Sequence, residues 1–552
     1  MIQLVKQTIK AEIKKALQGA GYELDANFEV ALENTKDVSH GDFASNVAMQ
    51  LARMAKKNPR AIAEDVISHL DLAAANIEKA DIAGPGFINF FINKAVLTKV
   101  INEIIVAGDD YGKSNTGKNL KYNVEYSSVN PTGDIHLGHA RGAAIGDSLC
   151  RILVAAGYDV TREYYINDAG NQIHNLVLSV YARYLEALGN DSEFPEDGYR
   201  GADIAAFGKQ LAAEYGDKFV GKLDTHYAHL RQISLAFEMD KIKADLTTFG
   251  VEFDLYTSEQ QMYDDNLVDV SVELLKEKGY IYEQDGAEWF RSTDFGDDKD
   301  RVLRKSDGSF TYLVPDIANH IEKIRRVNDK LINLWGADHH GYVARVKASI
   351  QALGYDADLL EVDIIQMVRL IKDGTEFKMS KRTGKAVALR DLIEEVGVDG
   401  VRYFFASRSA ETPMDFDLDL AVKQSNENPV YYAQYGHARA CTLLTRGQEQ
   451  GFVPAKSDVY QHLTHEKELD VVKRMGDFAV VVQDAAVKRK PHLITNYLHD
   501  LVAAFHSLYG AKKFIDADDA DGTSERLALV AALRTTIKNA LELIGVSAPV
   551  SM

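Results

Sequence analysis

Between residues 120 and 166 the apolar pattern changes from strand to helix and back to strand, and this alternation constrains the fold more than any other feature. Leu120 to Ser127 reads as a strand, His139 to Gly157 as a helix ending at a glycine, and Tyr158 to Ile166 as a second strand. Strands joined through a helix run parallel, and a parallel sheet presents its ligand site beyond the carboxyl ends of its strands. The strand pattern resumes at Leu331 to Gly336 and at Val362 to Ile371.

The flanks have different periods. Residues 1–112 read as a separate α+β unit, helical over about the first twenty residues and again from Asn46 to Ile67. A β-like stretch from Ile82 to Ile92 follows, then a linker rich in Gly, Ser, Asn and Thr from Tyr111 to Lys118. Residues 113–425 hold the sheet pattern, interrupted at about 190–300 by a helical insertion that opens at the loop Asp191 to Asp203. Over 426–552 apolar residues recur at helical spacing, as in Leu493, Tyr497, Leu501, Phe505 and Leu508. The expected fold class is multidomain α/β. A Rossmann-like parallel-sheet domain stands between an α+β N-terminal domain and an all-α C-terminal helical bundle.

At 552 residues the chain has length for several such units. The start reads as an amphipathic helix and not as a secretory signal, and no apolar stretch is long enough to span a bilayer, so no membrane partner is expected. Cys150 and Cys441 are the only cysteines, which leaves no disulfide framework and no structural zinc; these features point to a reducing cytoplasm. A net charge of −19 argues against a broad nucleic-acid surface, but binding needs only a local basic face. Arg325-Arg326, the loop Lys378 to Lys385, Lys488-Arg489-Lys490 and Lys512-Lys513 are candidates, with solvated surface charge the plainer reading of each run alone.

Two short strings carry chemistry. His136-Leu-Gly-His139 lies in the segment Asn130 to Ala140, between the first sheet strand and its helix. Gly133 and Gly138 permit close backbone approach there, and the helix N-terminus offers free N–H groups to a phosphate. The two histidines can face one phosphoryl group and stabilise the charge that builds on it. Two histidines held by structural hydrogen bonds are the competing reading, and the stronger one for this string alone. A metal site lacks a completing Cys or Glu nearby. Far downstream, Lys378-Met379-Ser380-Lys381 follows a strand in a loop with several basic residues and two glycines, where paired lysines suit the departing phosphates of ATP. A surface charge run is the alternative, and the upstream histidines weigh against it. Together the strings point to attack on the α-phosphate of ATP, with Mg2+ accompanying the nucleotide and no other cofactor.

The pair of strings, in this order, is similar to the signatures of class I aminoacyl-tRNA synthetases. Three stretches resemble the arginyl-tRNA synthetase family in particular: Tyr126-Ser-Ser-Val-Asn-Pro-Thr-Gly133, Asn428-Pro-Val-Tyr-Tyr-Ala-Gln-Tyr-Gly-His-Ala-Arg439, and the tail Leu543-Ile-Gly-Val-Ser-Ala-Pro549. Gly41-Asp-Phe-Ala-Ser-Asn-Val-Ala48 looks like the domain this family adds in front of its core, so the resemblance covers essentially the whole chain. It implies a monomeric ligase that converts L-arginine and ATP to arginyl-adenylate and pyrophosphate. The arginyl group then passes to the 2′-hydroxyl of the terminal adenosine of tRNA(Arg), for protein synthesis. Activation is implied to need bound tRNA, and no editing domain is expected.

By the same resemblance, His136, His139, Lys378 and Lys381 are catalytic, and Gly133, Gly138, Met379 and Ser380 join them in holding ATP. Glu125, Ser127, Asn130, Tyr312, Asp316 and Asp338 are implied to hold arginine, with His339 a further arginine or ribose contact. A guanidinium stays charged and offers a planar fork of donors, so its pocket should supply carboxylates. Tyr312 and Asp316, four apart, would share a helix face. Taken singly, Glu125 and Asp316 read as ordinary solvated or ion-paired carboxylates. The N-terminal unit is implied to touch the tRNA elbow and the bundle the anticodon. Tyr431, Tyr432 and Tyr435 there are candidates for stacking on bases, with bundle core the plainer reading. Two departures stand out. The second signature keeps both lysines, which many family members lack, and the chain ends Pro549-Val-Ser-Met552 where the family often ends Pro-Glu-Arg-Met. Another nucleotidyl-transferring ligase and a non-catalytic tRNA-binding paralogue are the rival readings. The N-terminal unit with the long helical tail disfavours the first, and the intact strings disfavour the second.

Overall fold

The strand–helix–strand pattern around residue 120 forms the middle of a five-stranded parallel sheet in the computed structural model, which describes residues 2–25, 27–35, 40–326, 329–377, 387–457 and 459–552. From one edge to the other the strands are Leu360–Ile365, Lys330–Gly336, Lys121–Glu125, Asp159–Ile166 and Leu255–Ser258. The order therefore reverses between Lys121–Glu125 and Lys330–Gly336, and such a reversal opens a crevice at the carboxyl ends of the two strands. Glu125 sits there, in register with Asn333 on one side and Glu163 on the other.

The helix Leu137–Ala155, here called the signature helix, covers this crevice. Its residues from Ala140 to Cys150 are all buried, and the run of alanines and glycines lets it lie close to the sheet. At Gly146 a Cβ would fall on the buried ring of Tyr126, so a larger residue would push helix and sheet apart.

Sequence and structure part at several boundaries. The stretch 362–371 is not one strand. It breaks at Gln366 and Met367, and Val368–Lys372 pairs in a second sheet with Met414–Asp417 and Thr375–Glu376. The Gln366 carbonyl is taken by the Arg141 guanidinium at 2.8 Å, which ends the first ladder. The helical stretch 46–67 is two helices, Val47–Ala55 and Pro59–His69, separated at Lys56 by a left-handed backbone and by Pro59. Residues 82–92 fall in a hairpin of Ile77–Ala83 and Phe87–Ile92. Within 190–300 the strand Leu255–Ser258 belongs to the main sheet. It separates the helices Ala202–Tyr215 and Leu223–Thr248 from a small antiparallel sheet of Ile281–Gln284, Ala287–Phe290 and Arg301–Arg304.

The C-terminal helices Pro429–Glu449, Glu466–Lys488, His492–Ala511 and Ala520–Leu543 pack as a bundle. The N-terminal unit rests on it. Lys6 pairs with Asp477 at 3.3 Å, Lys473 donates to the Asp42 carbonyl at 2.5 Å, and both ammonium groups lie over the Phe43 ring at 5.0 and 5.2 Å. Arg489, at the end of Glu466–Lys488, reaches the edge strand and forms a forked pair with Asp363 at 2.9 and 3.2 Å. One apolar core, from Val5 to Val546, runs through all three units. Two of the basic runs are thus partly consumed inside the molecule, since Arg326 likewise pairs with Glu163 at 3.0 Å. Among the described residues no helix is long and apolar enough to cross a membrane.

Candidate active site

A cavity of about 570 Å³ occupies the crevice at the strand reversal. Glu125 and Ser127 close it from the end of the strand Lys121–Glu125, Trp335 and Asp338 from the end of Lys330–Gly336, and His136 and His139 from the signature helix. Gly138 also lines it. Ser127 holds a left-handed backbone (φ 64°) that a serine seldom adopts, and its buried hydroxyl has no partner among the described residues.

The histidines are placed by helix initiation itself. His136 is the N-cap of the signature helix, and its Nδ1 accepts the Gly138 N–H at 3.2 Å. That acceptor role leaves the neutral ring's proton on Nε2. His139, one turn on, stacks against His136 with ring centres 3.6 Å apart. Burial, and then His136 beside it, push His139 down to about 3, although Asp338 works the other way. Burial also lowers His136, again opposed by Asp338. Both rings are therefore neutral donors at physiological pH and add no fixed charge to the cavity. The helix N-terminus behind them supplies the positive potential.

Glu125 is buried, and its Oε2 takes Lys323 Nζ and the Asn319 amide at 3.4 Å. Behind it lies a connected polar core. Lys323 also donates to Asn333 Oδ1 at 3.2 Å, the Asn333 amide donates to His320 Nε2 at 2.9 Å, and His320 Nδ1 donates to the Asp316 carbonyl at 2.7 Å. The Asp316 carboxylate accepts the Tyr342 hydroxyl at 2.5 Å. Burial raises Asp316 to about 7; the Tyr342 bond opposes this, and Glu125 and Glu259 add to it. Burial raises Glu259 as well, against its bond from Tyr165 at 3.0 Å. Glu125 and Glu259 thus both repel the Asp316 carboxylate, which a cation would relieve, although neither Asp316 nor Glu259 is among the residues that line the cavity.

Not every residue singled out in the sequence reaches this place. Asn130 donates to Gln172 at 2.9 Å and Gly133 lies in the loop before the helix; neither lines the cavity. Tyr312 is 79% exposed and precedes the helix Leu313–Arg326, so it does not share a helical face with Asp316. Thr311 is held in extended pairing by Leu303 and Val302, which delays the helix by one residue. Asp338 and His339 stand at the rim, 3.5 Å apart. Lys378, Met379, Ser380 and Lys381 lie outside the described residues. The residues flanking them, Phe377 and Val387, both line the cavity. Just beyond, Ala388 bridges to His136 and the Leu389 N–H donates to the Ile135 carbonyl at 2.7 Å. Among the described residues no cluster of three His, Cys, Asp or Glu side chains could hold a metal.

Sequence reasoning passed over Asn319, His320 and Lys323. The signal was present, because with Asp316 they form a polar stripe at spacings of three and four, set among apolar residues over the first three turns of the helix. Glu259 was also missed. It follows directly on the strand Leu255–Ser258, at the sheet end where ligands bind.

Comparisons with known proteins agree over the full length. Residues 6–92 match the arginyl tRNA synthetase N terminal domain, 100–404 the class I (R) tRNA synthetase catalytic domain, and 433–552 the DALR anticodon binding domain. The arginine–tRNA ligase of Bacillus subtilis is 58% identical over 550 residues, covering 99% of each chain. That of Anoxybacillus flavithermus is 57% identical over 554 residues, covering 100% of each. The solved arginyl-tRNA synthetase of Thermus thermophilus shares the fold, with a TM-score of 0.75 at 21% identity over 99% of this chain and 100% of that one. With three family domains in sequence and relatives matched from end to end, the chain belongs to the arginyl-tRNA synthetases.

Proposed function

We propose that this arginine–tRNA ligase performs both of its steps at the sheet-reversal cavity. The chain activates arginine with ATP and transfers it to tRNA(Arg). The observation that carries the assignment of the site is the neutral histidine pair at a helix N-terminus, facing the same cavity as Glu125.

The α-phosphate of ATP, accompanied by Mg2+, lies against the start of the signature helix. As the arginine carboxylate attacks, negative charge builds on the phosphoryl oxygens. His136, through Nε2–H, and His139 donate to them, together with the free backbone N–H groups of the first turn. Neutral donors suit this task, because they strengthen as charge develops and do not clamp the ground-state nucleotide. Lys378 and Lys381 serve the β- and γ-phosphates of the departing pyrophosphate. Glu125, Asp316 and Glu259 receive the guanidinium. Lysine, ornithine or citrulline would leave these carboxylates badly paired, which supports selection without editing. Ser127 and Asp338 orient the amino acid, with Asn130 and Tyr312 joining when substrate is bound.

The bundle offers tRNA a half-buried aromatic ledge. Tyr431 and Tyr435 stack with ring centres 5.9 Å apart, and Arg439 lies between Tyr435 and Tyr509 at 4.5 and 4.4 Å. Such a ledge suits stacking on unpaired bases. The N-terminal unit serves the tRNA elbow, and the enzyme acts as a cytoplasmic monomer. Arginine-dependent ATP–pyrophosphate exchange, run with and without tRNA, tests the whole reading. Exchange only with tRNA is expected. Exchange without it removes the tRNA requirement, and no exchange with arginine in either case overturns the site.

A further inference from the structure

Two buried arginines grip the signature helix. Arg141, on the helix itself, donates to the carbonyls of Gln366, Ser409 and Thr412 at 2.8, 2.8 and 2.9 Å. The second grip comes from outside. Arg402, fully buried on the helix Val398–Ala406, pairs with Asp147 of the signature helix, which also accepts from Arg151 at 2.6 Å. Arg402 Nε donates to the Ile544 carbonyl at 3.0 Å, and its NH1 to the Phe249 carbonyl at 3.0 Å. Ile544 is the C-cap of the last bundle helix, and Phe249 that of Leu223–Thr248. One planar fork therefore joins the helix that begins with His136, the helix leading into the third sheet segment, and the end of the anticodon-side bundle.

The tail is shaped around this guanidinium. Gly545 has φ 65°, where other residues are strained, and a Cβ there would fall on the Arg402 side chain. The Leu543-Ile-Gly-Val turn thus keeps Ile544 presented to Arg402. The fork satisfies two buried carbonyls and the Asp147 carboxylate, so removing it alone costs stability. What the fork adds is direction, fixing two backbone carbonyls and the Asp147 carboxylate against one another. Arg402 lies away from the cavity lining, so it acts only through the helix it holds.

We propose that Arg402 is a positioning residue for arginine activation. It sets the signature helix against the end of the bundle, so the placement of His136 and His139 depends on how the bundle is seated. The proposal rests on the reading that these histidines serve activation.

The test uses the full-length enzyme with Arg402→Lys, Gly545→Ala, His139→Ala and, for comparison, Arg526→Lys. Arg526 is a buried arginine whose partners, Phe514, Asp519 and Thr523, all lie within the bundle. Arginine-dependent pyrophosphate exchange with tRNA is measured well below each melting temperature. Because a small misplacement of catalytic groups is costly, Arg402→Lys and Gly545→Ala should each lower kcat at least about tenfold, with KM for ATP and arginine within about twofold. Arg526→Lys should lose melting temperature and keep kcat. Unchanged kcat in the first two, or a kcat loss that Arg526→Lys matches at equal loss of melting temperature, overturns the proposal. Normal exchange by His139→Ala instead removes the reading beneath it, and the proposal falls with it.

Discussion

Asp316 and His139 are both buried beside charged or polar neighbours, yet burial moves them in opposite directions. Each is driven toward its neutral form: Asp316 upward to about 7 and His139 downward to about 3. Between an ordinary aspartate value and about 7, the folded protein holds a proton on Asp316 that the unfolded chain does not. Stability therefore falls as pH rises through that window, and a bound guanidinium recovers it. Asp316→Asn should raise the melting temperature of the substrate-free enzyme at pH 8 by about 2 °C. The same change should raise the KM for arginine about a hundredfold through loss of a charged pair. In the unaltered enzyme, KM for arginine should climb roughly fivefold from pH 7 to pH 6, while kcat stays flat, because His139 does not titrate there. A steady-state pH series gives both answers, and a flat KM would remove Asp316 from the guanidinium pocket.

At the scale of elements, the bundle's first helix provides the clearest trial. Arg439→Ala should raise the KM for tRNA about tenfold through loss of one stacking platform, and leave kcat at saturating tRNA unchanged. An equal KM would return Tyr431, Tyr435 and Arg439 to a purely structural role. The strand–helix–strand at 120–166 was legible in the sequence because local periodicity alone decides it. The single strand expected over 362–371 was not, because both halves are apolar and the break comes from Arg141, a partner far away in sequence. The helix face that Tyr312 was expected to share with Asp316 was lost for a local reason, because Thr311 pairs back onto the strand Arg301–Arg304 and the helix starts after Tyr312. The histidine pair was visible as a string, whereas its neutrality was not, since that follows from the depth at which the folded helix buries it. Glu259 shows the same limit, and Lys323, legible as one member of a polar stripe, gains its partner Glu125 only when its helix packs on the sheet.

At the scale of the whole molecule, the shared core joins units that the sequence reads as separate. Apolar residues from the N-terminal helix, the sheet and the bundle form one cluster, reinforced by Lys6–Asp477 and Arg489–Asp363. Scanning calorimetry should accordingly show one dominant unfolding transition in place of three, and removal of residues 1–112 should lower the melting temperature of the remainder. Separate, independently placed peaks would show that the contacts between units carry little energy. The net charge of −19 then falls on the outside of a single body, and arginines such as Arg326 and Arg489 are spent on holding it together. With one transition, no partly folded form would keep the nucleotide site and lack the anticodon-side bundle. Heat or damage would then remove the capacity to spend ATP together with the capacity to charge tRNA, so a failing molecule would fall silent and not run as an idle adenylate maker.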